Sequence, residues 1–327
     1  MNMRHRWLLG VLVVLIALVG LSPVLVSAGP AAQKGLQPLR LITFTTDAAT
    51  LAAQTRGFFA AEGLDVDIII TPNSTVQMRG LGQGEYDVAS TAFDNVLAWS
   101  GRDGGPEIVA IVQPSAGVNL PVYVRPEIQD WSDLRGKPLA VDAVDTAFAL
   151  VLRRILLAHD LDLARGDYEF VAVGGTPLRL ESMARGDTFA GIMSSDLEAR
   201  AQAAGLRRVA DQREVLPDYP GGVFAVTRPW AQQHRDEVVR FIRGWAAGNR
   251  WVHANREAAI ELVSATQGTS REAATRAVDE LSSDGALNVP GLESVIGLRT
   301  QFGYPLPMGN DVARFYDVSY YQQAVGR

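Results

Sequence analysis

A change of hydrophobic period inside one short stretch limits the fold of this chain more than any other feature. Between residues 39 and 63, Leu39, Leu41, Ile42 and Phe44 make an apolar run of strand length. Ala48, Leu51, Ala52, Thr55, Phe58 and Phe59 then recur at helical spacing. The switch falls at Thr45, Thr46 and Asp47. A strand that feeds a helix collects free backbone N–H groups and the positive end of the helix dipole at their junction. In an open α/β sheet, small ligands bind outside the carboxyl ends of the strands. Thr45, Thr46 and Asp47 are therefore the first candidate ligand-contacting loop, and capping of the helix is the competing role for Thr46 or Asp47.

The same unit recurs along the chain. Gly63 is placed as the C-cap of a helix running from 48, and 66–71 as the next strand. Ser74 and Gln77 have capping-box spacing at the start of a helix that Gly82 and Gly84 end. Residues 86–90 form a strand, Thr91 to Asp94 open another helix, and 107–113 is a further strand. After Pro121 the alternation restarts, with strands at 121–125, 138–142, 168–174, 189–193 and 206–210. Helices at 146–159, 177–184 and 196–204 separate them. The junctions at 142–146, 174–176 and 194–196 are again small and polar. Thr176 before Pro177 reads as an N-cap, and Ser195 with Glu198 has capping-box spacing. A Pro-Gly connector at 217–222 leads to a last strand at 223–227, beyond which the chain is almost all helix.

The first residues address the protein outward. Arg4 and Arg6 precede an apolar run from Trp7 to about Leu21, then Pro23 and Val26-Ser27-Ala28, which reads as a secretory signal over 1–28 cleaved after Ala28. An uncleaved anchor is the competing reading. Residues 29–38 read as a disordered leader. The net charge of −6 offers no basic cluster to neutralise phosphates, so nucleic acid is not an expected partner. The absence of cysteine excludes disulfides, thiolate metal sites, a cysteine nucleophile and a lipobox. His5, His159, His234 and His253 lack metal-ligand spacing, and no cofactor is called for.

Three segments, in order, carry a resemblance. They are Arg56-Gly57-Phe58-Phe59 through Glu62-Gly63-Leu64-Asp65-Val66, then Leu81-Gly82-Gln83-Gly84-Glu85-Tyr86-Asp87-Val88-Ala89, then Asp133-Leu134-Arg135-Gly136-Lys137-Pro138-Leu139-Ala140-Val141. With the helical stretch 238–263 they resemble the periplasmic solute-binding proteins of ABC importers of the nitrate, sulfonate, taurine and thiamine-precursor type. The resemblance implies an α/β, two-lobed periplasmic-binding-protein (type II) fold, each lobe a mixed sheet flanked by helices, with extra C-terminal helices on the first lobe. It places the lobes at 39–117 plus 223–327 and at 118–222, with crossings near 116–121 and 217–222. It also implies a monomer that closes over its ligand and hands it to an ABC permease in the inner membrane. Asp145-Thr146 and Ser194-Ser195-Asp196 depart from the family's usual residues at those points.

The expected ligand-binding residues are Thr45, Thr46, Asp47, Ser74, Thr91, Phe93, Asp94, Asp145, Thr146, Gly175, Thr176, Ser194, Ser195 and Asp196. Phe44 and Phe93 flank the loops as a candidate apolar wall, and burial in the core is the competing role for such strand-end aromatics. These loops hold four aspartates and neither lysine nor arginine. Four carboxylates oppose an anion by on the order of 1 kcal/mol or more per close unscreened pair. A neutral or amine-bearing small organic ligand, heterocycles included, is therefore expected over nitrate or a plain sulfonate. The function so read is an extracytoplasmic solute-binding protein and not an enzyme. A receptor that presents its solute to a membrane sensor is the alternative. A thiamine-precursor synthase of this fold would need a cysteine-rich segment that the chain lacks.

Overall fold

The structure, a computed structural model, describes residues 35–304 and 306–326; the side chain of Asp196 and the expected signal over 1–28 lie outside the described residues. The chain opens with β1 (Gln37–Thr43), α1 (Ala48–Thr55), α2 (Phe58–Ala61), β2 (Leu64–Ile70) and α3 (Ser74–Gln83). It continues through β3 (Val88–Ala92), α4 (Phe93–Trp99) and β4 (Ile108–Val112). The middle third contributes β5 (Pro121–Val124), β6 (Pro138–Val141), α5 (Ala147–Ala158), β7 (Glu169–Ala172), α6 (Thr176–Arg185), β8 (Ala190–Ile192), α7 (Glu198–Ala203) and β9 (Arg207–Asp211). β10 (Gly222–Thr227) precedes α8 (Arg228–Gln233), α9 (Arg235–Ala254), α10 (Arg256–Gln267), α11 (Arg271–Asp279), α12 (Val289–Gln301) and α13 (Ser319–Val325).

These strands make two five-stranded mixed sheets of one design, in the orders β2-β1-β3-β10-β4 and β7-β6-β8-β5-β9. In each, three neighbouring strands run parallel and the remaining pairs are antiparallel. The parallel pairs need helical crossovers, and those helices cover both faces of the sheet. β4 (IVAIV) is accordingly buried along its whole length. Period-two alternation divides the core: Leu39, Leu41 and Val109 pack with α1 and α9, whereas Ile42, Ile108 and Ala110 belong to the cluster with α3, α4 and α12.

Three details depart from the sequence reading. β1 begins at Gln37, inside the span expected to be leader. The first helix is broken at Gly57, whose φ of 74° is left-handed and free of strain only for glycine. The break lets Phe59 stack on Phe241 of α9, ring centroids 5.4 Å apart. β3 runs two residues further than expected, so Phe93 follows it directly as the first residue of α4.

Candidate functional site

The carboxyl ends of the strands in both sheets face one cavity of about 490 Å³. Thr45, Thr46, Asp47, Ser74, Thr91, Thr146, Gly175, Thr176, Ser194 and Ser195 all line it, as does Phe44. Asp47 does both jobs weighed for it. It caps α1 by accepting from the Thr50 backbone N–H at 2.9 Å, and it also accepts from Trp245 Nε1 at 3.1 Å. Burial raises its carboxyl above the usual range, against the opposing effect of these hydrogen bonds. The Thr46 carbonyl accepts from Gln267 Nε2 at 2.7 Å, so the first loop is fixed by helices far along the chain.

Ser74 is not a cap. Asn73 caps α3, accepting from the Val76 N–H at 2.8 Å, while Ser74 Oγ donates to Asp142 Oδ2 at 3.1 Å. Gln77 turns inward and donates to the Ser90 carbonyl at 2.8 Å, so no capping box forms. Gly175 takes the N-cap position expected of Thr176, whose hydroxyl lies 3.2 Å from that of Ser194. Ser195 donates to Glu280 Oε1 at 3.1 Å and makes no box with Glu198. The Asp196 side chain lies outside the described residues.

The structure takes three expected residues away from the cavity wall. Because α4 starts at once after β3, Phe93 and Asp94 occupy its first turn and point into the core. Asp94 is 0% exposed and accepts from Arg299 Nη1 of α12 at 2.8 Å. Burial pushes its carboxyl up to about 6, with Arg299 opposing the shift. Asp145 borders a separate space of about 100 Å³ and lies 3.8 Å from Arg102. Asp142, one turn earlier in the same junction, lines the main cavity in its place and also accepts from the Thr146 hydroxyl.

The expected absence of cations is also corrected. Arg179 lines the cavity at 3% exposure, its guanidinium 5.1 Å from the Phe148 ring centroid. It donates to the Ile192 carbonyl at 2.6 Å and forms no ion pair among the described residues. Burial pushes its guanidinium down to about 10, with nearby Asp142 acting the other way. Among the buried polar atoms of the wall, Arg179 Nε, Tyr219 Oη and Thr269 Oγ1 have no hydrogen-bond partner among the described residues. On α6 the pattern runs against hydropathy, Leu178 being 46% exposed while Arg179 is buried. Only the phase of α6 set by its start at Thr176 could have pointed inward at Arg179.

The sequence pattern of the NMT1/THI5-like proteins matches residues 45–259, about two-thirds of the chain. The chain belongs to the NMT1/THI5-like family. No curated protein matches it. Solved structures similar to this NMT1/THI5-like chain include the periplasmic nitrate-binding protein NrtA of Synechocystis PCC 6803, at TM-score 0.76 and 12% identity over 89% of each chain. A zinc-bound ligand-binding component of an ABC-type import system from Staphylococcus aureus superposes at 0.72 with 14% identity, over 88% of this chain and 99% of that one. The alkanesulfonate-binding protein SsuA of Xanthomonas axonopodis pv. citri, bound to MOPS, gives 0.70 and 14% identity over 83% and 95%. At such identities the likeness is one of fold, and it is the two-lobed type II periplasmic-binding-protein fold expected from the NMT1/THI5-like segments.

Proposed function

We propose that the protein is an extracytoplasmic solute-binding protein that encloses a small organic ligand between its two lobes and delivers it to an ABC permease. The observation that carries this reading is the cavity itself, built from the strand ends of both sheets and bridged by the Ser74–Asp142 and Ser195–Glu280 hydrogen bonds. A pocket of that size, largely preformed, suits a small molecule. Family membership, and the transport-associated binding proteins among the similar structures, support the same reading. None of His159, His234 and His253 lines the cavity, so its hydroxyls have no imidazole base, and the chain has no cysteine. The protein is read as a binder and not an enzyme.

The ligand presents a neutral polar or amine end to Asp142 and Glu280 and an apolar body, heterocycles included, to Phe44, Phe148 and Tyr219. The lobes, 39–117 with 223–327 and 118–222, close about the crossings near 116–121 and 217–222. Closure at such linking residues concentrates the dihedral change in a few positions. Export follows from the signal over 1–28, cleaved after Ala28, and the mature protein acts as a monomer in the periplasm. A thermal-shift screen of amines, heterocycles, sulfonates and nitrate tests the ligand, since binding to the folded state raises apparent stability. Hits should compact the protein in solution scattering and weaken in Asp142→Asn. A radius unchanged at saturation would count against closure, and hits confined to inorganic anions and indifferent to Asp142→Asn would remove the amine assignment.

A further inference from the structure

We propose that Arg179 receives an acidic group of the solute, so that the ligand is an organic carboxylate whose other end meets Asp142 and Glu280. A buried guanidinium without a carboxylate partner is destabilising, and native proteins seldom retain one without use. Arg179 is in that position. Its one hydrogen bond goes to the Ile192 carbonyl, its Nε is unpartnered, and one face is covered by Phe148. Asp142, whose charge acts on Arg179, already accepts from the hydroxyls of Ser74 and Thr146. A leucine or methionine would fill the same space without that penalty, and Arg179 is one of the residues lining the cavity.

The surroundings of Arg179 suit an anion. It lies in the opening turns of α6, a ten-residue helix whose start at Gly175 has no side-chain cap, so the N–H groups of Thr176 and Leu178 have no side-chain acceptor there, Pro177 between them carrying none. The hydroxyls of Thr176 and Ser194 line the same wall. A planar carboxylate matches the guanidinium fork, and one negative charge balances one cation. The aromatic ring of Phe148 beside it favours an apolar or aromatic body directly attached to the acid.

The inference rests on the cavity being the solute site, and the test separates the two. The probes are benzoate, aminobenzoates and aromatic amino acids, each paired with its primary amide, measured by calorimetry on the purified protein. Acids should bind at least tenfold tighter than their amides to the wild type. That preference should vanish in Arg179→Met and survive in part in Arg179→Lys. Without any ligand, Arg179→Met should melt at or above the wild type, because it removes an unpaired buried charge and keeps the stem's packing. A marked fall in its melting temperature would make Arg179 a structural residue and overturn the inference. So would acid and amide binding alike while Asp142→Asn weakens both, an outcome that leaves the proposed function standing. If the probes bind and neither Asp142→Asn nor Arg179→Met alters any affinity, the cavity is not the solute site and both readings fall.

Discussion

Ser74 of the first lobe donates to Asp142 of the second at 3.1 Å, and the arrangement is mirrored where Ser195 of the second lobe donates to Glu280 after α11 at the same distance. Each bond joins the two sides of the cavity, and in the proposed cycle both would break on opening. A part-buried hydrogen bond to a charged acceptor contributes about 1.5–3 kcal/mol. The double variant Ser74→Ala with Ser195→Ala should therefore lose at least tenfold in solute affinity and show a larger radius of gyration by scattering at subsaturating ligand. Affinity and radius equal to wild type would mean that these bonds do not hold the closed form.

Arg299 of α12 joins α4 to the junction that precedes α5. Its Nη1 serves Asp94 at 2.8 Å and the Asp145 carbonyl at 3.2 Å, with the side chain 3% exposed. Removing one partner of a buried pair leaves an uncompensated charge and costs about 3–5 kcal/mol. Arg299→Met should lower the urea midpoint accordingly, and adding Asp94→Asn should recover much of the loss. A single variant as stable as wild type would show that the pair contributes nothing.

The same carboxyl sets a pH dependence. The folded pKa of Asp94, about 6, lies above its ordinary 3.8, so the folded state binds the extra proton between those values. The contribution of this group to stability is fully present below about pH 4 and is lost as pH rises through about 6. Denaturant titrations of wild type and Asp94→Asn across pH 4–7 should differ by a falling limb present only in the wild type. Parallel curves would sink the assignment.

The two crossings between the sheets touch. A Cβ on Gly221 would fall well inside contact distance of the carbonyl and hydroxyl oxygens of Ser115. Backbone does not yield as a side-chain tip does, and such overpacking typically costs about 1–3 kcal/mol. Gly221→Ala should lower the melting temperature and weaken solute binding together. Wild-type values for both would show that the crossings can part freely.

The two-sheet architecture was legible because strand and helix periods differ, and the restart after Pro121 coincides with the first strand of the second sheet. The polar junctions were legible for the same reason, and most of them meet at the cavity. What could not be read was which side of a helix's first turn faces inward. Phe93 and Asp94 were lost from the site because β3 runs on to Ala92 and leaves no loop. Asp142 stood in for Asp145 within a single junction. Glu280 lies just beyond a helix, outside the junctions, and Arg179 within one, where hydropathy gives no reason to bury a charge. Whether such a group turns inward depends on tertiary neighbours, here Phe148 for Arg179 and Ser195 for Glu280.

The loop at Thr46 and Asp47 is held by Gln267 and Trp245, partners 221 and 198 residues further along the chain. Structure that depends on contacts so distant in sequence forms slowly, because the intervening chain must be ordered before the contacts repay it. A growing polypeptide can therefore contain every residue of its first ligand loop and still have no loop. A product truncated before Gln267 therefore keeps the sequence of the loop and lacks the side-chain amide that holds the Thr46 carbonyl.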